Sequence, residues 1–222
     1  MTLTQIETRL LERVGGSDGS FYSAAETREA VNAAQRLFVL LSVCLEKTGT
    51  LALTAGQVEA RLLTTFTDYI APVRIRTPEG YDVRPGSVAQ FRAANDYWRS
   101  ETADRPERFA VAGFDFAMFY PAPAAGVSLT VTYACGPVAM VNNSDVPEIP
   151  EEYHPALIDG AEPILRCKEG GQEFAKALPK WKAFLAAARE CAEAVKQRNK
   201  AADLKIPALS MDFSRYLDAG KS

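Results

Sequence analysis

The sequence predicts an α+β fold: a helical bundle built from the N- and C-terminal parts, a small antiparallel β region inserted between them, and an extended C-terminal arm. Three observations carry this. Apolar residues recur at helical spacing near both ends, period-two alternation is confined to the middle, and no internal repeat or low-complexity tract interrupts the plan. The predicted segments are 1–50 for the N-terminal helices, 51–149 for the β-rich insert with one short helix, 150–202 for the C-terminal helices, and 203–222 for the arm.

The first helix is predicted from Thr4, followed three residues later by Glu7 in capping-box spacing, with Ile6, Leu10 and Val14 on one side and Gly15 and Gly16 as the stop. A second box, Ser23 with Glu26, opens a longer helix. Val31, Ala34, Phe38, Leu41 and Leu45 recur along it, and Gly49 is its predicted end. The most apolar run, "LFVLLSVCL" at 37–45, is far shorter than the roughly 20 residues a bilayer core requires. It predicts a core helix rather than a membrane span.

From 51 to 76, Thr54 and Gln57 could cap a helix, but β-branched and aromatic residues crowd at 64–70 and "PVRIR" alternates, so short strands are predicted. Ser87 with Gln90 opens a short helix. Strands follow near 108–112, 114–120 and 127–135, with turns at Gly113 and "PAPAAG".

After Pro150, Glu151 and Glu152 stand where a helix N-terminus favours negative charge. Pro155 fits a first helical turn, whereas Pro163 predicts a kink or a split. Beyond Gly171, Phe174, Leu178, Trp181, Leu185, Ala188, Ala192 and Val195 step by fours and threes, the stripe of a long helix lying along a partner. Pro179 is a candidate start for its longer part.

With 222 residues and 47% hydrophobic content, the chain can bury a sizeable core as one domain or two small ones. Its net charge of −3 gives no overall basic field, so any contact with DNA has to be local or repulsive. The N-terminal "MTLTQIETRLLERVGG" lacks the pattern of a signal peptide. Cys44, Cys135, Cys167 and Cys191 form no C-x-x-C pair, and one histidine completes no zinc set, which predicts a reduced, cytosolic product.

Chemistry is sparse. Any nucleophile–base machine would rest on His154, the only histidine, and no G-x-S-x-G elbow accompanies it. The glycine-rich "GGSDGS" lacks the lysine and the strand-to-helix context of a phosphate loop. The acid pairs Glu151/Glu152 and Asp145/Glu148 suit helix capping better than a glycosidase or metal site. Arg74, Arg76, Arg84, Arg105 and Arg108 are scattered along the chain, which predicts a solvated rim or an intersubunit salt-bridge set before a nucleic-acid groove. No catalytic residue, cofactor or metal ligand is predicted, and no membrane partner.

Two stretches exceed the needs of an isolated domain. "FDFAMFYPAPAAGVSLTVTY" carries aromatics on both faces of its strands and needs covering by helices or another chain. The tail residues Leu204, Ile206, Leu209, Met211, Phe213, Tyr216 and Leu217 are too apolar for a free end and too few to fold alone. They dock either onto the parent domain or into a neighbour.

Taken in order, "EAVNAAQRLFVLL", "VRIRTPEGYDVRPGSVAQF", "DYW" with "DRPERFAV", "FAMFYPAPAAGVSLTVTY" and "DVPEIPEEYHPALIDGAEPILRCKEGG" resemble the tailed-bacteriophage head-to-tail adaptor (connector or neck) proteins, over residues from about 25 to 200. The resemblance implies a non-enzymatic virion component: a homo-oligomeric ring of twelve copies between capsid and tail. It would meet the portal protein above and a tail-completion or stopper protein below, and viral DNA would pass without specific binding. An acidic overall balance suits such a channel.

On this reading the arm residues named above become portal-docking candidates. Phe38, Leu41, Leu157, Leu178, Trp181 and Leu185 are the bundle or subunit packing set. Pro147, Pro150, Glu151, Glu152 and His154 form a hinge into the C-terminal helices, with His154 structural rather than catalytic. Gly160 and Pro163 depart from the unbroken helix usual after such a hinge. The alternatives are a tail-completion or stopper neck protein and, from another class, a small cytosolic hydrolase using Glu151 or Glu152 with His154.

Overall fold

The computed structural model describes residues 1–15 and 21–201, apart from the side chains of Phe174, Lys200 and Ala201. The predicted arm, 203–222, lies outside the described residues. In chain order the elements are α1 (Leu3–Val14), α2 (Ala24–Ser42), β1 (Glu46–Leu53), β2 (Glu59–Arg61), α3 (Leu62–Thr65), β3 (Tyr69–Arg76), β4 (Asp82–Pro85), α4 (Val88–Ala94), β5 (Thr102–Ala103), β6 (Arg108–Ala112), β7 (Phe116–Tyr120), β8 (Ala122–Pro123), β9 (Val127–Cys135), a 3-10 turn (Glu151–Tyr153), α5 (His154–Arg166) and α6 (Gly171–Ala201). They divide into a helical unit, Met1–Leu45 with Gly136–Arg198, and a sheet unit, Glu46–Cys135. Among the described residues no helix is long and apolar enough to cross a membrane.

In the helical unit, α1 and α2 both pack on α5. Capping boxes start both: Thr2 with Gln5 at α1, Ser23 with Glu26 at α2. The α1 box is two residues earlier than the predicted Thr4–Glu7 pair. Two neighbouring Thr residues satisfy the spacing, and burial decides between them, because Leu3 is fully buried and belongs inside the helix. Leu3, Ile6 and Leu10 of α1 meet a core that includes Val31, Ala34 and Phe38 of α2 and Leu157, Ile158 and Ala161 of α5. Each large apolar side chain buried there is worth about 1.5–3 kcal/mol.

The end of α2 differs from the expectation. The helix stops at Ser42, and Val43 adopts the left-handed conformation at φ 52° with its N–H on the Val39 carbonyl at 2.7 Å. Gly49, the predicted stop, lies inside β1. A Cβ there would sit 2.5 Å from Cε1 of Phe66, so glycine makes room for that ring against the strand.

Neither internal proline divides its helix. α5 runs through Pro163, carried by burial of Leu157, Ile158, Ala161 and Leu165, and α6 is continuous through Pro179. The buried side of α6 is Ala177, Phe184, Leu185, Ala188, Cys191 and Val195, which keeps Leu185, Ala188 and Val195 of the predicted stripe while Leu178 is exposed. Gly160 of α5 lets the two helices approach. Phe184 lies so close to α5 at that residue that an added Cβ would be 2.6 Å from its ring.

The β region is not a small insert. Seven strands form one curled sheet in the order β1-β9-β3-β4-β6-β7-β2, and β5 pairs with β8 separately. Nor is it wholly antiparallel: β4 runs parallel to β6, and β5 to β8. Sequence spacing missed β1 because "EKTGTLAL" alternates weakly and pairs with β9, some 80 residues away along the chain. The inner face buries Leu51, Leu53, Ile75, Leu129, Val131 and Phe119. On the outer face, α4, opened by the Ser87–Gln90 box, lays Phe91 with Trp98 over Ala110, Met118 and Tyr120. This answers the prediction that the two-faced aromatic strands need a cover.

Candidate functional site

The segment after β9, residues 136–150, has no regular secondary structure yet is tied down along its length within the helical unit. Extended backbone next to helices leaves polar groups that need partners, and polar side chains of α1 and α2 supply them. Asn32, 8% exposed, accepts from the Met140 N–H at 2.8 Å and donates to the Met140 carbonyl at 3.0 Å, so its amide behaves like a neighbouring strand. Gln35 donates to the Val138 carbonyl at 3.0 Å. Arg28 donates to the Val141 carbonyl and the Asn143 side chain while pairing with Glu7 at 3.1 Å. The segment returns the favour: carbonyls of Asp145 and Asn143 accept the N–H groups of Leu3 and Thr4, two of the orphan donors at the start of α1.

Asp145 holds its own turn. Its carboxylate accepts the N–H groups of Val141 and Asn142, each at 2.8 Å, and these bonds, Asn142's foremost, keep its pKa below the usual carboxylate range. Glu148 accepts the Val138 N–H at 2.8 Å. Asp145 and Glu148, one of the two acid pairs that the sequence spacing offered, thus accept backbone N–H groups.

His154 begins α5 and is 3% exposed. Its Nδ1 lies 2.8 Å from the Met1 ammonium and its Nε2 3.0 Å from the Ile149 carbonyl. An ammonium only donates, so Nδ1 accepts and the proton sits on Nε2, which donates to the carbonyl. Both ring nitrogens are engaged, and no lone pair remains to draw a proton from a substrate. Beside it is a cavity of about 380 Å³ lined by Met1, Thr2, Gln5, Pro147, Ile149 and His154 among others. Glu151, at its rim, and Glu152 are exposed in the 3-10 turn, where their charge faces the N-terminal end of α5. Phe38 contacts the ring of Tyr153 in the same turn at 5.5 Å between centroids, so the turn is anchored to the core.

Two of the four cysteines pair with one another. Cys44 is half-buried, Cys191 is buried, and their thiols share a hydrogen bond that pulls Cys44 down to about 7 and pushes Cys191 up. Among the described residues no group of three or more His, Cys, Asp or Glu side chains is placed to hold a metal ion.

The sequence-predicted residues fall as follows. Phe38, Leu157 and Leu185 are buried, Leu41 and Trp181 are half-buried with Trp181 stacked on Phe184, and Leu178 is 44% exposed. Pro147, Pro150, Glu151, Glu152 and His154 come together at the entry to α5. Leu204, Ile206, Leu209, Met211, Phe213, Tyr216 and Leu217 lie outside the described residues. Sequence reasoning missed Arg28, Asn32 and Gln35. The available signal was buried polar residues, Asn32 and Gln35, on the apolar side of α2.

A family model described as SU10 adaptor protein matches residues 1–205. No curated protein matches the chain.

Proposed function

Because the chain belongs to the SU10 adaptor protein family, a family of phage head-to-tail adaptors, we propose that it forms a ring of twelve copies under the portal, joining capsid to tail around an open channel. The match over residues 1–205 is the observation that carries this reading. The local geometry supports it in two ways. Around His154, polar groups are turned inward to backbone and N-terminal partners, as in a packed structural element. The outer side of the 31-residue α6 leaves Leu178 exposed and Trp181 half-covered, apolar surface suited to a neighbouring subunit.

In this assignment the apolar arm beginning at Leu204 docks into the portal, the partner below is a tail-completion or stopper protein, and viral DNA crosses the ring without sequence-specific contact. The chain acts in the virion neck and performs no catalysis. Native mass spectrometry of the full chain and of a chain ending at Ala202, each mixed with the portal ring of the same phage, tests the assignment. The full chain is expected to add to the portal as a complete layer, and the shortened chain is expected not to. If neither adds, the portal-binding assignment fails and a position lower in the neck takes its place.

A further inference from the structure

Arginines that look scattered along the chain are gathered by the fold. Within the sheet unit, Arg76 is paired in register with Asp82, Arg84 with Arg108, and Thr132 with Arg74, so these side chains share the outer face of β9, β3, β4 and β6. The buried Ile75, Val83 and Phe109 alternate with them and point inward. Threonines extend the same face: Thr48 and Thr50 of β1 lie opposite Thr132 and Thr130 of β9, with Thr48 and Thr132 hydroxyls 3.2 Å apart. The Phe91–Trp98 cover sits over β6 and β7 and leaves Arg84 and Arg108 exposed.

The charges on this face do not balance. Asp82 accepts two bonds from Arg74, at 2.7 and 2.8 Å, and one from Arg76 at 3.1 Å. Asp82 is thus shared by two guanidinium groups. Among the described residues no carboxylate lies within ion-pair distance of Arg84 or Arg108, although their Cα atoms are direct neighbours across the parallel β4–β6 pair. Two like charges side by side on adjacent strands are destabilising unless an anion joins them. Glu107 precedes Arg108, and Glu101 is occupied by Asn95 and Tyr120.

We propose that this face contacts the phosphate backbone of double-stranded nucleic acid. Arginine and threonine are among the side chains that hold phosphate oxygens without reading bases. A protein partner would need an apolar centre for its interface, and this face carries mainly threonine and arginine, with Asp82 in its middle and half-buried Glu46 at its β1 end. The chain's net charge of −3 makes the contact local and reversible, a weak guide rather than a grip.

The test is fluorescence anisotropy of a labelled mixed-sequence duplex of roughly 30 base pairs with the full chain, at salt from about 50 to 200 mM. The variant is Arg84→Glu/Arg108→Glu. The control with the same charge change is Lys182→Glu/Arg189→Glu, on the exposed side of α6. The wild type should bind at low salt with a steep log–log salt dependence. The Arg84/Arg108 variant should bind at least about tenfold more weakly with a slope smaller by roughly 2, while the control keeps most of the wild-type slope. All four arginine and lysine positions are exposed, so melting curves of both variants should match the wild type. No binding by the wild type, or equal losses in variant and control, overturns the proposal. Competition by polyglutamate as effective as that by duplex DNA also overturns it, and assigns the face to an acidic protein surface.

Discussion

Gly160→Ala tests the packing of α5 against α6 with one methyl group. The added Cβ would lie 2.6 Å from Cδ2, 2.7 Å from Cε2 and 3.1 Å from Cγ of Phe184. Carbon atoms prefer about 3.5–4.0 Å, so the ring would have to recede by about 1 Å. It has little room: Phe184 is fully buried, with Phe38 at 5.9 Å and Trp181 at 5.4 Å between centroids. Overpacking of this kind costs about 1–3 kcal/mol. Alanine returns about 1 kcal/mol of helix propensity. The expected net loss is about 0–2 kcal/mol, or a Tm lower by up to about 8 °C for a chain of this length, followed at the helical circular dichroism signal. Adding Phe184→Leu should make the two changes less than additive, because the smaller side chain vacates the space the methyl needs. A higher Tm for Gly160→Ala, or full additivity with Phe184→Leu, would refute the close contact.

Three further outcomes follow from the helical unit and its charges. Asn32→Ala leaves the Met140 N–H and carbonyl without their partner in a buried site, and should cost about 2–4 kcal/mol in urea unfolding; a cost below about 0.5 kcal/mol would show that the segment after β9 is not held by that amide. Glu26, bonded by Lys168 and by the Ser23 cap, and Asp82, bonded by Arg74 and Arg76, are both lowered to about 2. Carboxylates lowered on folding contribute fully above their unfolded values of about 3.9–4.3 and lose that contribution as pH falls through the folded value. Tm should therefore fall between about pH 4.5 and 2, and a rise in that range would contradict these pairings. Cys44, lowered to about 7 by the Cys191 thiol, should take up iodoacetamide with a midpoint near that pH while Cys191 reacts only on unfolding; equal rates by peptide mass mapping would exclude the thiol pair.

Local features were legible in the sequence. The Ser23–Glu26 and Ser87–Gln90 boxes start helices because a cap depends on residues three apart. The strands at 108–112 and 127–135 showed through their alternation, and the order of motifs shared with phage adaptors was enough to place the family. What failed to show depends on partners distant in sequence. α1 begins at Leu3 rather than after Thr4 because Leu3 is buried in the core and carbonyls of Asp145 and Asn143 receive the first N–H groups. Gly49 looked like a helix stop until Phe66 was seen to need its space. Asn32 and Gln35 went unmarked, since the backbone they satisfy lies about a hundred residues further on. The arginine face was hidden for the same reason: Arg84 and Arg108 become neighbours only through a parallel strand pair.

The most direct test of the adaptor assignment is to remove this chain from its phage by a nonsense mutation and image the particles by electron microscopy. The account predicts heads and tails that are each assembled but not joined, with tailed particles restored when the full chain is supplied from a plasmid. Normal tailed, infectious particles without the chain would contradict it.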